Sequence, residues 1–282
     1  MFKLWPSALT AVVLHLSPTE CASSYPDTQL AGLEALYDAT NGQGWKTSTG
    51  WRDPVVNICS WYGVICDGDS GNVTGLSLSS NDLLGDISEA TALMYVSSLK
   101  EIDLSDNQLH GPVPLVLGLM ASLEKLDLSG NELSYFPATW GSDASALQHL
   151  SLQNNRISGS LPSAWLELNA SSSESAFGTV YLQPTSSWLP ELRSLLLGGN
   201  TINDTGDAVL QTVANWKSLQ TLDLSNNALT GSVEDTLASY FFCDGSGGSR
   251  CEGYLSGVAA PLLRILRLDG NDLQGNLPQI LD

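Results

Sequence analysis

Seven segments of the chain obey one spacing rule, an aliphatic residue three, five and eight positions before an asparagine. They are VTGLSLSSN ending at Asn81, LKEIDLSDN at Asn107, LEKLDLSGN at Asn131, LQHLSLQNN at Asn155, LRSLLLGGN at Asn200, LQTLDLSNN at Asn227 and LRILRLDGN at Asn271. A Leu-x-Leu alternation puts successive side chains on opposite faces of an extended strand. One such strand cannot bury its apolar side alone. Successive strands must stack in parallel over a continuous leucine core, which makes a curved solenoid. The expected fold class is an α/β repeat solenoid with a parallel concave sheet. Each asparagine falls where the chain turns out of its strand, where its amide can bond backbone groups of its own and the neighbouring coil. Losing such a buried bond costs about 1–3 kcal/mol. The ladder Asn81, Asn107, Asn131, Asn155, Asn200, Asn227 and Asn271 is therefore read as architectural.

After the asparagines the chain continues DLLGDI, QLHGPVP, RISGSLP, ALTGSVE and DLQGNLP. From Val73 to Pro278 the pattern resembles the plant-type class of leucine-rich repeat. The resemblance implies a right-handed superhelix with a short second strand after the glycine, flanking the concave sheet. ELSYFP departs from it, with Tyr135 in place of the glycine, and so does TINDTGDAV after Asn200; a second strand is not specified there. Asn-to-Asn spacings of 26, 24, 24, 45, 27 and 44 mark two insertions, at about residues 167–190 and 238–260. The first is Ser-rich and reads as a loop or one degenerate repeat. The second carries a Gly/Ser run between Cys243 and Cys251, a flexible tip closed by a disulfide.

A solenoid exposes an apolar end unless its first repeat is covered. TQLAGLEALYDAT places Leu30, Leu33, Leu36 and Tyr37 at helical spacing, and Gly42 and Gly44 then end the helix. Trp45, Trp51, Trp61 and Tyr62 are expected to supply large buried surface. Residues 25–72 thus read as an N-terminal cap and 73–282 as seven repeats. The stretch resembles the cap of plant-type leucine-rich-repeat ectodomains, found in plant receptor-like proteins and receptor kinases and in algal and protist repeat proteins. In that family the cysteines matching Cys59 and Cys66 form a disulfide. No such counterpart follows the seventh repeat, so a partner or further residues are expected to cover that end.

The N-terminus has the layout of a secretory signal peptide over residues 1–24: Lys3, a mostly apolar run from Leu4 to Leu16, then small residues near Cys21. The chain is read as secreted, extracellular or cell-surface associated, and met by the membrane only indirectly or through a C-terminal segment beyond Asp282. In that compartment Cys59 with Cys66 and Cys243 with Cys251 read as two local disulfides. Zinc would need a second Cys/His pair beside Cys59 and Cys66, and a C-x-x-C redox motif is absent. The sequons at Asn72, Asn169 and Asn203 are glycosylation candidates. Eleven Lys and Arg against 30 Asp and Glu give a net charge of -19, which repels phosphate backbones and argues against a nucleic-acid partner.

No catalytic motif, metal-ligand cluster or cofactor signature stands out, and DGDSG from Asp67 reads as a turn, because Leu78 stands where a calcium loop needs a Glu. The strand positions facing outward carry a polar stripe, Glu101, Asp103, Lys125, Asp127, His149, Ser151, Gln153, Asp223 and Arg267, with Asp269 beyond them. A paired-carboxylate glycosidase could be imagined there, but a fold by itself confers no chemistry. The preferred reading is a non-enzymatic recognition module that holds a protein, peptide or cell-surface glycan on this stripe. The alternatives are the ectodomain fragment of a membrane receptor-like protein or receptor kinase, and a secreted inhibitor of wall-degrading hydrolases.

Overall fold

The computed structural model describes residues 25–162, 165, 170–171, 183–184, 189–206, 208–209, 216–232 and 262–274. The expected signal segment, Asn169 and the Cys243/Cys251 pair lie outside the described residues.

Among the described residues, one strand of the cap and seven of the repeats build one eight-stranded sheet. Its strands are Val64–Cys66, Val73–Ser77, Glu101–Asp103, Lys125–Asp127, His149–Ser151, Ser194–Leu196, Thr221–Asp223 and Ile265–Arg267, hydrogen-bonded in that order. From Val73–Ser77 onward every pair is parallel and in register, so Leu76, Ile102, Leu126, Leu150, Leu195, Leu222 and Leu266 form one row. All of these but Leu266 are buried, and Leu78, Leu104, Leu128, Leu152, Leu197 and Leu224 make a second buried row. Each fully buried leucine contributes about 1.5–3 kcal/mol. The sheet is not parallel throughout: Val64–Cys66 runs antiparallel to Val73–Ser77, because a short hairpin joins cap to first repeat.

Between the described strands the sheet runs straight past both insertions. Leu150 pairs directly with Leu195, and Leu222 with Leu266. Short second strands are present even where the Gly step is missing: Glu132–Leu133 pairs with Gln108–Gly111, and Thr201–Ile202 with Ser158–Gly159. The reason is that the ladder supplies the bonds. Asn155 Oδ1 accepts from the Leu133 amide, and Asn227 Oδ1 from that of Ile202, each at 3.0 Å.

Asn107 shows the ladder's pattern. Its Oδ1 accepts from the amides of Asn81 and Leu83, while Nδ2 donates to the carbonyls of Leu78 and Leu104, all within 3.0 Å. Asn131, Asn155, Asn200, Asn227 and Asn271 repeat the link between their own and the preceding coil. Asn81 turns the same chemistry toward the cap, accepting from the Thr47 amide and donating to its carbonyl.

In the cap, the helix Tyr25–Ala39 buries Leu33 and Leu36 and packs against the Thr91–Tyr95 segment. Gly32 allows that approach, since a Cβ there would lie 2.9 Å from the Ala92 carbonyl oxygen. Trp45, Trp51 and Trp61 are buried, with Trp51 4.8 Å from Trp45 and 4.9 Å from Trp61 between ring centroids. Tyr62 is not part of this cluster: it is 43% exposed, and Tyr37 stacks on Trp51 instead. The Tyr62 backbone explains this. Its carbonyl accepts from the Trp51 indole and its amide donates to Thr49, which directs the ring outward. Cys59 and Cys66 are disulfide-bonded. Across the hairpin turn, Asp67 accepts from the Asp69 amide and the Ser70 hydroxyl, which confirms DGDSG as a turn.

On the side away from the sheet, Phe136, Trp140, Trp165 and Trp216 meet edge to face in sequence, with centroids 5.2–6.2 Å apart. The Trp140 indole donates to the Pro114 carbonyl and the Trp165 indole to that of Trp140, both at 2.9 Å.

Candidate functional site

From Glu101–Asp103 onward, the outward face of the sheet is built from the first and third residues of each strand, whose middle residue points into the core. The register therefore brings Glu101, Lys125, His149, Ser194 and Thr221 into one row. A second row holds Asp103, Asp127, Ser151, Leu196, Asp223 and Arg267. At its middle lies a shallow depression of about 260 Å³, bordered by Lys125, Asp127, Ser129, His149, Ser151, Gln153, Ser194 and Leu196. The sequence places Lys125, Asp127, His149, Ser151 and Gln153 in this patch, and the register does bring them together. Sequence reasoning missed Ser129, Ser194 and Leu196; the position of Ser194 and Leu196 in the L-x-L alternation could have found them.

The carboxylates are not equivalent. Asp103 Oδ1 accepts from the amide and hydroxyl of Ser105, and Asp127 Oδ1 does the same with Ser129, the hydroxyl distances being 2.6 Å. The recurrent Asp-Leu-Ser text thus ties down the strand exit, with Asp103 and Asp127 half-buried. Asp223 was expected on the exposed stripe, yet it is only 2% exposed. It accepts from Ser225, from Gln153 Nε2 at 3.2 Å and from Arg267 at 3.4 Å. Gly198 makes this possible. It stands on the intervening repeat, and a Cβ there would lie 3.0 Å from both Asp223 Oδ1 and Ser225 Oγ. Glu101, Lys125, His149 and Arg267 are exposed.

Of the sequons, Asn203 is exposed at the end of the Thr201–Ile202 strand, on the flank rather than on the sheet face. Asn72 is half-buried, and its Oδ1 accepts from Gln29 at 3.4 Å. Among the described residues no group of three His, Cys, Asp or Glu side chains converges as metal ligands. No helix among them is long and apolar enough to cross a membrane.

Stacked parallel strands, an asparagine ladder and a disulfide-closed cap define a leucine-rich-repeat solenoid, and its cap is similar to that of the plant-type, cysteine-capped class. Leucine-rich-repeat family profiles match residues 71–133, 97–157 and 218–240. Its relatives include Receptor-like protein 7 of Arabidopsis thaliana, 34% identical over 36% of this chain and 10% of that protein. Another is Pollen receptor-like kinase 2 of Arabidopsis thaliana, 30% identical over 85% of this chain. The chain spans no more than 30% of the length of either. Solved plant ectodomains share the fold. Pollen Receptor Kinase 3 has a TM-score of 0.55 at 23% identity, covering 83% of this chain and 91% of that one. The peptide hormone receptor RGFR1 in complex with RGF2 has a TM-score of 0.50 at 26% identity, covering 73% of this chain and 26% of that one.

Proposed function

We propose that the chain is an extracellular recognition module, secreted or displayed at the cell surface, that binds a protein or peptide partner on the outward face of its sheet. The observation that carries this reading is the 260 Å³ depression, in which exposed Lys125 and His149 stand beside hydroxyls, the Gln153 amide and half-buried Leu196. An exposed surface of mixed polarity across stacked strands offers many weak, specific contacts and no group poised for chemistry. The similarity to RGFR1, a peptide hormone receptor, supports a peptide among the possible partner classes. Kinship with receptor-like proteins and kinases supports the variant in which this chain is the ectodomain of a receptor-like protein. The signal peptide at residues 1–24 and N-glycans at Asn72, Asn169 and Asn203 belong to the same reading, with Asn203 the best exposed of the two described sequons.

The test is a binding screen of secreted peptides and protein ectodomains against the full chain and its Ser194→Trp variant, which fills the depression. Binding that Ser194→Trp abolishes, and that Tyr95→Ser on the far side leaves intact, supports the reading. Partners that all ignore Ser194→Trp would move the binding face elsewhere.

A further inference from the structure

The described cations fall into two groups. Lys46, Arg52, Lys100, Arg156 and Arg267 each meet a carboxylate within 4 Å. Lys125 meets none, although its neighbour in register is Glu101 and Asp127 lies two residues on. Arg193, Lys217 and Arg264 also have no ion-pair partner among the described residues, but they do not border the depression. Lys125 does, and its register partner across the strand gap is exposed His149. In a chain of net charge -19, an unpaired Lys beside an exposed His at the centre of an open face leaves N–H donors free for an anionic group. Of the two nearby carboxylates, Asp127 has one oxygen committed to Ser129, and exposed Glu101 on the adjacent strand makes no ion pair with Lys125.

Resting on the recognition function above, we propose that the Lys125–His149 step seats the side-chain carboxylate of an acidic residue within an extended peptide. Adjacent parallel strands lie about 4.8 Å apart, so a carboxylate above the gap can accept from both side chains at once. The surroundings suit a peptide. Ser151 and Ser194 offer hydroxyls, and Gln153, its Nε2 held by Asp223, keeps its oxygen as an acceptor for a peptide amide. Half-buried Leu196 provides an apolar contact alongside. No Trp, Tyr or Phe ring is among the described residues that border the depression to stack on a sugar face. The sheet continues on both sides of the step, so a peptide can pass through and need not end there. The overall negative charge disfavours an acidic ligand at long range, but beyond about 10 Å that repulsion is screened at ordinary salt, whereas the pair acts at contact.

The probe is a library of linear peptides of about nine residues, enough at ~3.3 Å per residue to cross six strands. It is selected on the full chain, and single peptides are then titrated. The expected result is an Asp or Glu enriched at one internal position. Replacing it by its amide, or making Lys125→Gln, weakens binding about tenfold, the loss of one charge-assisted hydrogen bond. Both changes together cost little more than one, Lys125→Arg restores binding, and C-terminal amidation of the peptide changes nothing. Lys125 is exposed and unpaired, so an unchanged melting temperature for Lys125→Gln separates binding from folding.

Binders that Ser194→Trp blocks but that carry no acidic residue, or that ignore Lys125→Gln, overturn this inference and leave the recognition function standing. A strict need for a free C-terminus overturns it in favour of a terminal carboxylate. Binding of uronic-acid oligosaccharides in place of any peptide overturns it in favour of a glycan. A library with no binder sensitive to Ser194→Trp removes the inference, and protein ectodomains that also ignore Ser194→Trp move the binding face elsewhere.

Discussion

The side chain of Gln153 crosses an entire repeat to donate its amide to the carboxylate of Asp223, 3.2 Å away and 70 residues later in the chain. Gly198, on the repeat between them, leaves room for the Asp223 carboxylate, since a Cβ there would lie 3.0 Å from its Oδ1. Removing each partner tests this clamp. Asp223→Ala strips the Ser225 and Gln153 donors of their acceptor in a buried place and should cost about 1–3 kcal/mol in urea unfolding. Gln153→Ala should cost less, about 0.5–1.5 kcal/mol, because Ser225 and Arg267 still satisfy the carboxylate. Gly198→Val should weaken the pair by crowding the Asp223 carboxylate.

The asparagine ladder predicts a graded series. Asn107 is 8% exposed and its Oδ1 accepts from two backbone amides, so Asn107→Ala leaves both without a partner and should cost about 3–5 kcal/mol. Asn271, half-buried in the last described coil, accepts from the Leu229 amide alone and should cost less. Equilibrium unfolding gives the totals. Hydrogen exchange should show the Leu83 amide losing protection in Asn107→Ala.

Trp165 is 2% exposed and touches Phe136, Trp140 and Trp216. Trp165→Ala should open a cavity costing about 3–5 kcal/mol, and Trp165→Phe should recover part of it by keeping an edge-to-face partner. A melting curve in which the phenylalanine variant is no better than alanine would mean that the indole bond to the Trp140 carbonyl, not the ring contacts, holds this spine.

The Asp67 carboxyl is held below its ordinary value of 3.8, first by the Asp69 amide and then by the Ser70 hydroxyl. A depressed carboxyl favours the folded state above pH 3.8, and that contribution is lost as pH falls through the lower folded value. An NMR titration should show the Asp67 midpoint below 3.8, moving up toward it in Ser70→Ala. The group is fully exposed, so the effect is to be read in the midpoint and not in global stability.

Much of this molecule was legible in its letters. The L-x-x-L-x-L-x-x-N text determined the strands, their parallel stacking, the leucine rows and the asparagine exits, because each repeat needs only its neighbours and the same spacing recurs. The helix spacing of Leu30, Leu33 and Leu36, together with the Cys59 and Cys66 pair, likewise specified the cap. The sequence also placed the core of the site, since Lys125, Asp127, His149, Ser151 and Gln153 follow from counting back from Asn131 and Asn155. The tertiary structure decided what depends on groups far apart in the chain. It joined Leu150 directly to Leu195 across an insertion, turned Tyr62 outward, and assembled Trp140, Trp165 and Trp216 into one spine. It also drew Asp223 beneath the surface while leaving Lys125 exposed, although both stand at outward strand positions. The physical reason is that periodicity dictates which way a side chain points, whereas its burial and partners are set by side chains on adjacent coils, and glycines such as Gly198 carry no periodic signal of the space they leave.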